Sequence, residues 1–374
     1  MKRLILLIPL FTITSMSISF GQTDENPYWH KDGAFLDTQK IFHDERFPNV
    51  VVATDGTLIA TWGRNSVRAR RSEDGGKSWG PEITIADPGF QGGGTIVDEN
   101  SGDILTFVEA GHPPGPFTMY RSKDHGKTWE PEEVEIHPDQ FGHYPSMHMN
   151  EGGITLQYGE HAGRLIRPTR YYDGGNDRNY WDEHYTNAIY SDDGGQTWHT
   201  SAPFPAKGTG EAALAELSDG TVYYNSRRHH STDGRNPRMR HIAWSHDGGK
   251  TWKNLSVSEV LPDGSQHRDY GLMGGLVRLR LDNHDILLFS NIESDEGRKQ
   301  GVVWASFDGG KTWPVQRLVE EGSFAYSSMT AGRKGTPGEG MIYLLYEHDG
   351  GAKMARFNLN WLTKGKDWKT FIEE

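Results

Sequence analysis

An all-β fold, a six-bladed β-propeller of four-stranded antiparallel blades, is predicted by three observations. An eight-residue motif, Ser-x-Asp-x-Gly-x-Thr/Ser-Trp, occurs five times, at 72–79, 122–129, 191–198, 245–252 and 306–313. Successive copies start 50, 69, 54 and 61 residues apart, close to the span of one four-stranded blade with its loops. Each copy follows a short strand-like run, such as Arg240-His241-Ile242-Ala243-Trp244 or Val302-Val303-Trp304-Ala305. The composition agrees: 46 Gly, 12 Trp and 15 Tyr, with 34% hydrophobic residues, suit many short strands joined by tight turns with aromatic side chains between sheets.

The motif has a physical logic. Its Asp accepts hydrogen bonds from nearby backbone amides and fixes a tight hairpin. Its Gly, at the fifth position, takes positive φ without steric cost. Its Trp packs back between neighbouring sheets. These copies are therefore read as scaffold rather than as substrate contacts. They do not number the blades, because strand-like runs also precede the first copy (50–53 and 58–62) and follow the last (342–346 and 354–357). A sixth blade that pairs N-terminal with C-terminal strands would close the ring and remove exposed edges. The tail from Asn360 is expected to be a short helix or loose chain.

Residues 1–21 read as a signal peptide: Lys2 and Arg3, an apolar run from Leu4 to Phe11, and small residues Ser19 and Gly21 before Gln22. The apolar run is too short and interrupted for a membrane span. Residues 22–374 then form a single propeller domain, expected to be secreted or periplasmic and monomeric. The absence of cysteine excludes disulfides and thiolate metal sites. A net charge of −12 argues against a nucleic-acid partner. No His-x-His or His-Glu-x-x-His spacing suggests a metal, and no cofactor is expected.

Between the repeats lies a second set of segments. These are Arg46-Phe47-Pro48 followed by Gly56-Thr57-Leu58, the stretch 153–165, Glu211-Ala212-Ala213-Leu214 leading to Asn225-Ser226-Arg227, then Gly322 to Ser327, and Leu345-Tyr346-Glu347. Together with the repeats, known as Asp-boxes, they resemble sialidases over roughly Glu45 to Glu347. The resemblance implies that Arg46, Arg227 and Arg298 bind a substrate carboxylate, with Arg317 and Arg333 as alternatives for the third. It implies that Tyr326 is the nucleophile, Glu211 its partner, Glu347 the anchor of Arg46, and Arg64 a basic residue near the site. Such a set is chemically coherent. Guanidiniums give charge-assisted, partly bidentate bonds to a carboxylate. A phenol, unlike a carboxylate nucleophile, is not repelled by an anionic substrate.

One element of the family pattern is missing. Sialidases place an Asp general acid before the first Asp-box, and here 63–71 holds neither Asp nor Glu. Histidines are numerous, 17 in all, and loop histidines such as His112, His143, His148, His184, His229, His230 and His267 could supply acid or base near neutral pH. Of these, His143, His230 and His267 are taken as the candidates. The first expectation is an exo-acting, sialidase-like glycoside hydrolase on an acidic oligosaccharide or glycan. The alternatives are a lyase or dehydratase that leaves an unsaturated uronic acid at the non-reducing end, and a non-catalytic propeller that binds glycans.

Overall fold

A computed structural model describes residues 26–29, 33–112, 114–148, 150–230, 233–236, 238–263, 271–281 and 283–372. The leader 1–21 and His267 lie outside the described residues. Six antiparallel sheets follow one another around an axis, each running from an inner strand to an outer one. Blade 1 is Asn49–Val52, Leu58–Trp62, Val67–Ser72 and Ile83–Ala86. In blade 2 the inner strand is split into Phe90–Gln91 and Ile96–Val97, both paired to Ile104–Glu109. Phe117–Ser122 and Glu130–Glu132 complete it. Blade 3 runs Ile154–Thr155, Leu165–Tyr171, Tyr185–Ser191 and Thr197–Thr200, and gains a fifth, parallel strand, Glu135–His137. Blade 4 is Thr209–Glu216, Val222–Arg228, Met239–Ser245 and Lys253–Pro262, and blade 5 is Leu276–Arg278, Leu287–Ile292, Lys299–Ser306 and Val315–Ser323. Blade 6 takes Ser327–Ala331, Ile342–His348 and Gly351–Phe357 from the end of the chain and its outer strand, Leu36–Phe42, from the beginning. The expected closure is present.

All five Asp-boxes turn the third strand of a blade into the fourth. In the first, Asp74 Oδ1 accepts from Lys77 N and Ser78 N, each at 2.9 Å, and Ser72 Oγ at 2.8 Å accepts from Gly76 N. Burial opposes ionisation there, yet the Ser78 hydroxyl and the Ser78 and Lys77 amides hold the Asp74 carboxyl down to about 2. Gly76 sits at φ 79°, against Leu58, Tyr343 and Arg356, so the expected positive φ is met.

The core is six layers between adjacent blades. Box tryptophans fill five of them: Trp79 between blades 6 and 1, Trp129 between 1 and 2, Trp198 between 2 and 3, Trp252 between 3 and 4, Trp313 between 4 and 5. The layer between blades 5 and 6 has no box, because blade 6 makes its third-to-fourth connection across the two ends of the described chain. The tail takes that role. The helix Leu359–Leu362 and the turn Trp368–Phe371 bury Leu359, Trp361, Leu362 and Trp368 in this layer, with Tyr28 beside them. Arg317 stacks on Trp361 with its guanidinium carbon 4.3 Å from the ring centre.

Candidate active site

Because the strands of each blade alternate in direction, the starts of inner strands, the ends of second strands and the starts of third strands share one rim. The Asp-boxes lie on the opposite rim. Arg46 and Tyr326 precede inner strands, Arg227 and Glu347 end second strands, and Arg298 precedes a third strand. The ring therefore brings all of them to one mouth of the axis.

Local backbone features aim them. Arg46 is flanked by Glu45 at φ 56° and Phe47 at φ 82°, left-handed conformations that non-glycine residues rarely adopt and that concentrate at functional sites. Phe47 N donates to Glu347 Oε1 at 3.2 Å, and Arg46 grips the same carboxylate bidentately at 3.0 and 2.9 Å. Glu211 sits where the pairing between blade 4's first two strands slips between Thr209 and Ala212, a bulge that re-aims a side chain. The segment 324–326 is pinned on both sides: Phe324 N bonds Arg298 O at 3.0 Å, Ala325 N bonds Glu347 O at 3.2 Å, and Glu347 N bonds Tyr326 O at 2.9 Å.

At the centre, the Tyr326 hydroxyl donates to Glu211 Oε1 at 2.6 Å and Arg227 Nη1 donates to Glu211 Oε2 at 2.5 Å. Arg298 and Arg46 cover the phenol, their guanidinium carbons 5.0 and 5.2 Å from its ring centre. Arg317 is engaged with the Trp361 carbonyl and ring, and Arg333 with Glu99 and the Val52 carbonyl. Of the three alternatives, only Arg298 therefore lies at Tyr326. Burial, then the Glu211 charge, push Tyr326 up to about 12 against Arg298 and Arg227. Burial also works to raise Glu211, but the Arg227 charge and the Tyr326 hydroxyl outweigh it and leave the carboxyl below its ordinary range. The resting pair is thus a neutral phenol donating to a carboxylate.

The other sequence candidates stand further off. Arg64 is exposed, and among the described residues its guanidinium has no hydrogen-bond partner; its backbone amide bonds Glu45. His143 stacks on Tyr171 at 4.0 Å and bonds the Tyr185 hydroxyl at 2.6 Å. His230 packs on Trp181. Neither touches the Tyr326–Glu211 pair.

Four residues outside the candidate set adjoin it. His148 is buried among Phe47, Phe90, His112 and Tyr172, with ring-centre distances of 6.4, 5.6, 5.0 and 6.1 Å, and Phe47 in turn stacks on Tyr326 at 6.0 Å. Burial, then the charges of His112, Arg170, Arg227 and Arg46, keep His148 neutral. Arg170, His184 and His229 form the adjoining wall. In sequence these residues had only the signal of histidines in loops and of one arginine in an alternating strand.

Fold and site together define a six-bladed propeller with guanidiniums clustered around the Tyr326–Glu211 pair at one mouth of its axis. Residues 63–343 match the family model described as BNR repeat-like domain, and the chain belongs to this family of sialidase-superfamily propellers. It is 31% identical to a sialidase of Micromonospora viridifaciens over 90% of this chain and 55% of the relative. It is 27% identical to a sialidase of Bacteroides fragilis (strain YCH46) over 81% of this chain and 59% of the relative. The chain thus spans little more than half the length of these curated relatives. Among solved structures, a Hadza microbial sialidase superposes with TM-score 0.67 at 24% identity, covering 85% of this chain and 66% of that one. The intramolecular trans-sialidase of Ruminococcus gnavus superposes with TM-score 0.66 at 17% identity, covering 86% and 95%.

Proposed function

We propose that this protein is an exo-acting glycosidase that removes a terminal carboxylated sugar with retention of configuration. The observation that carries the reading is the 2.6 Å bond from Tyr326 to Glu211 beneath Arg46, Arg227 and Arg298. The three guanidiniums hold the sugar carboxylate. As the Tyr326 oxygen attacks the anomeric carbon, its proton passes to Glu211 and the glycosidic C–O bond breaks. The aglycone leaves as an oxyanion that takes a proton from water. A water molecule, deprotonated by Glu211 or solvent, then displaces Tyr326 from the glycosyl-tyrosine and returns the phenol. Glu347 keeps Arg46 oriented while that guanidinium is free of ligand. The leader makes the enzyme an exported one, a point that N-terminal sequencing of the mature protein would test.

Tyr326→Phe and Glu211→Gln are expected to lower kcat on a fluorogenic sialoside by about 10²–10⁴-fold. Full activity in Tyr326→Phe would overturn the proposal.

A second reading rests on His148. A neutral imidazole beside a carboxylate clamp is placed to act as a base, and a uronic acid has an acidified C5 proton. Elimination would leave a conjugated double bond, so rising ultraviolet absorbance with uronate-ended oligosaccharides, and no sialic acid release, would favour it.

A further inference from the structure

We infer that the wall formed by Arg170, His148, His229 and Tyr172 receives a second anionic group of the bound sugar, so that the substrate is doubly charged: a carboxylated sugar that also carries an oxyanion such as an ester sulfate. The inference rests on the proposed carboxylate pocket and extends it.

Arg170 is the starting point. It ends the second strand of blade 3 and is only 3% exposed. Other buried arginines here meet carboxylates: Arg164 with Asp192, Arg121 with Asp103 and Glu132, Arg228 with Asp233, Arg240 with Asp263. Arg167, equally buried, donates to the Met147 and Pro168 carbonyls and feels the Glu109 charge. Arg170 makes no such bond, and the Glu211 charge that reaches it is already paired with Arg227. Among the described residues no carboxylate lies within ion-pair distance of it. Its guanidinium donates to His184 Nδ1 at 2.8 Å, His229 Nδ1 at 3.3 Å and the Tyr172 hydroxyl at 3.3 Å, and Nε has no partner. Both imidazole nitrogens must be unprotonated to accept these bonds. A buried guanidinium held by neutral groups alone is costly unless something anionic joins it.

The place is adjacent to the reacting pair. Gly210 immediately precedes Glu211, and a side-chain carbon there would lie 2.6 Å from His229 Cε1 and 3.2 Å from Arg170 Nη1. The wall therefore abuts the Glu211 backbone. Further polar atoms nearby are also without partners: His148 Nδ1 on a ring 93% buried, Arg227 Nε and His230 Nε2. The charges point the same way. Arg46, Arg227, Arg298 and Arg170 oppose Glu211 and Glu347. One substrate carboxylate leaves an excess positive charge, and a second anion removes it. On a chain of net charge −12 this excess is local to the pocket.

The histidines add a second signature. Burial first, and then the Arg170 charge, lower His184 to about 4. Burial, then Arg227 and Arg170, lower His229, which also faces His230 and His184. His148 faces His112, Arg170, Arg227 and Arg46. An anion among these groups reverses part of that field. His184 and His229 keep Nδ1 bare toward Arg170, so the proton is taken up at His148, whose Nδ1 has no partner. Binding of the doubly charged sugar should then take up protons and tighten as pH falls.

The test is calorimetric titration of the Tyr326→Phe protein with N-acetylneuraminic acid, glucuronic acid and the O-sulfated forms of each, free sugars with no glycosidic bond to cleave. One sulfated form is expected to bind about tenfold or more tightly than its parent, with proton uptake seen as a dependence of the heat on buffer ionisation. Adding R170Q should bring the ratio of the two affinities close to one, and H229Q should reduce it if R170Q does not fold. Equal binding of parent and sulfated forms, or an unchanged ratio in R170Q, overturns the inference and leaves the carboxylate pocket standing. Failure of every sugar to bind overturns the pocket as well.

Discussion

In the proposed reaction, Tyr326 and Glu211 divide one proton between an oxygen that must lose it and one that must take it. The phenol is raised to about 12 while the carboxylate beside it lies below its ordinary range, so direct deprotonation in the resting enzyme is unfavourable and transfer belongs to the attack itself. The acid limb of kcat/KM should therefore fall only below the usual carboxylate range, which a pH–rate profile checks. The segment 63–71, free of Asp and Glu, has a kinetic consequence. Without a carboxylic acid to protonate the departing oxygen, the rate should rise steeply with leaving-group acidity. A series of aryl sialosides measures this, and a flat dependence would mean that another group supplies the proton. At this scale Arg46, Arg227, Tyr326 and Glu211 stood in local motifs, whereas Arg298 did not, and only the contact with the Tyr326 ring separates it from Arg317 and Arg333. The Arg170 wall was not legible: His229 and Gly210 come from the neighbouring blade, and only the packing of blade on blade brings them to Arg170 and His184.

At the scale of elements, carboxylates of opposite behaviour set the response to pH. In the Asp-boxes, hydrogen bonds to hydroxyls and amides depress the carboxyls, as in Asp74, Asp124, Asp193, Asp247 and Asp308. Their contribution to stability is present above the unfolded value near 4 and is lost as pH falls toward 2. On the axis, burial raises Glu109 to about 7 and Glu151 to about 8. Between 4.5 and 8 the folded chain keeps protons on these two carboxyls that the unfolded chain has released, so their contribution falls as pH rises. The buried neutral His148, His184, His229 and His241 act the other way below about 6.5, where the unfolded imidazoles take up protons. Thermal midpoints scanned from pH 3 to 9 should therefore peak between about 6 and 7. Glu151→Gln should flatten the alkaline decline, and an unchanged slope would contradict the assignment. The boxes were fully legible as turns, since the bonds from their Ser and Asp to amides three and four residues on are local. Glu151 was not, because its partners Ser328 Oγ (2.6 Å) and Met329 N (3.1 Å) lie 177 and 178 residues away.

At the scale of the whole molecule, the layer between blades 5 and 6 is built differently from the other five. Trp361→Ala should cost about 3–5 kcal/mol, comparable to losing a box tryptophan, and urea titration against Trp313→Ala makes the comparison. A loss well under 1 kcal/mol would mean that the tail merely rests on the ring. The number of blades and their closure could be read from strand-like runs beyond the first and last boxes. The tail's role could not, because a short run such as Leu359-Asn360-Trp361-Leu362 acquires meaning only from the gap it fills.

The shared sixth blade also couples the order of folding to the onset of chemistry. Arg46 and Glu347 are 301 residues apart, and Tyr326 and Glu211 are 115 apart. Contacts of such sequence separation form late. The clamp cannot exist until Leu36–Phe42 has found Gly351–Phe357 and the ring is shut. During refolding, far-ultraviolet signal should return before catalysis, and recovered activity becomes a clock for the final closure. On the proposed reading, a nascent chain still lacking its last blade would carry Glu211 without Arg46 clamped to Glu347, and so would stay inert until the sixth blade closes.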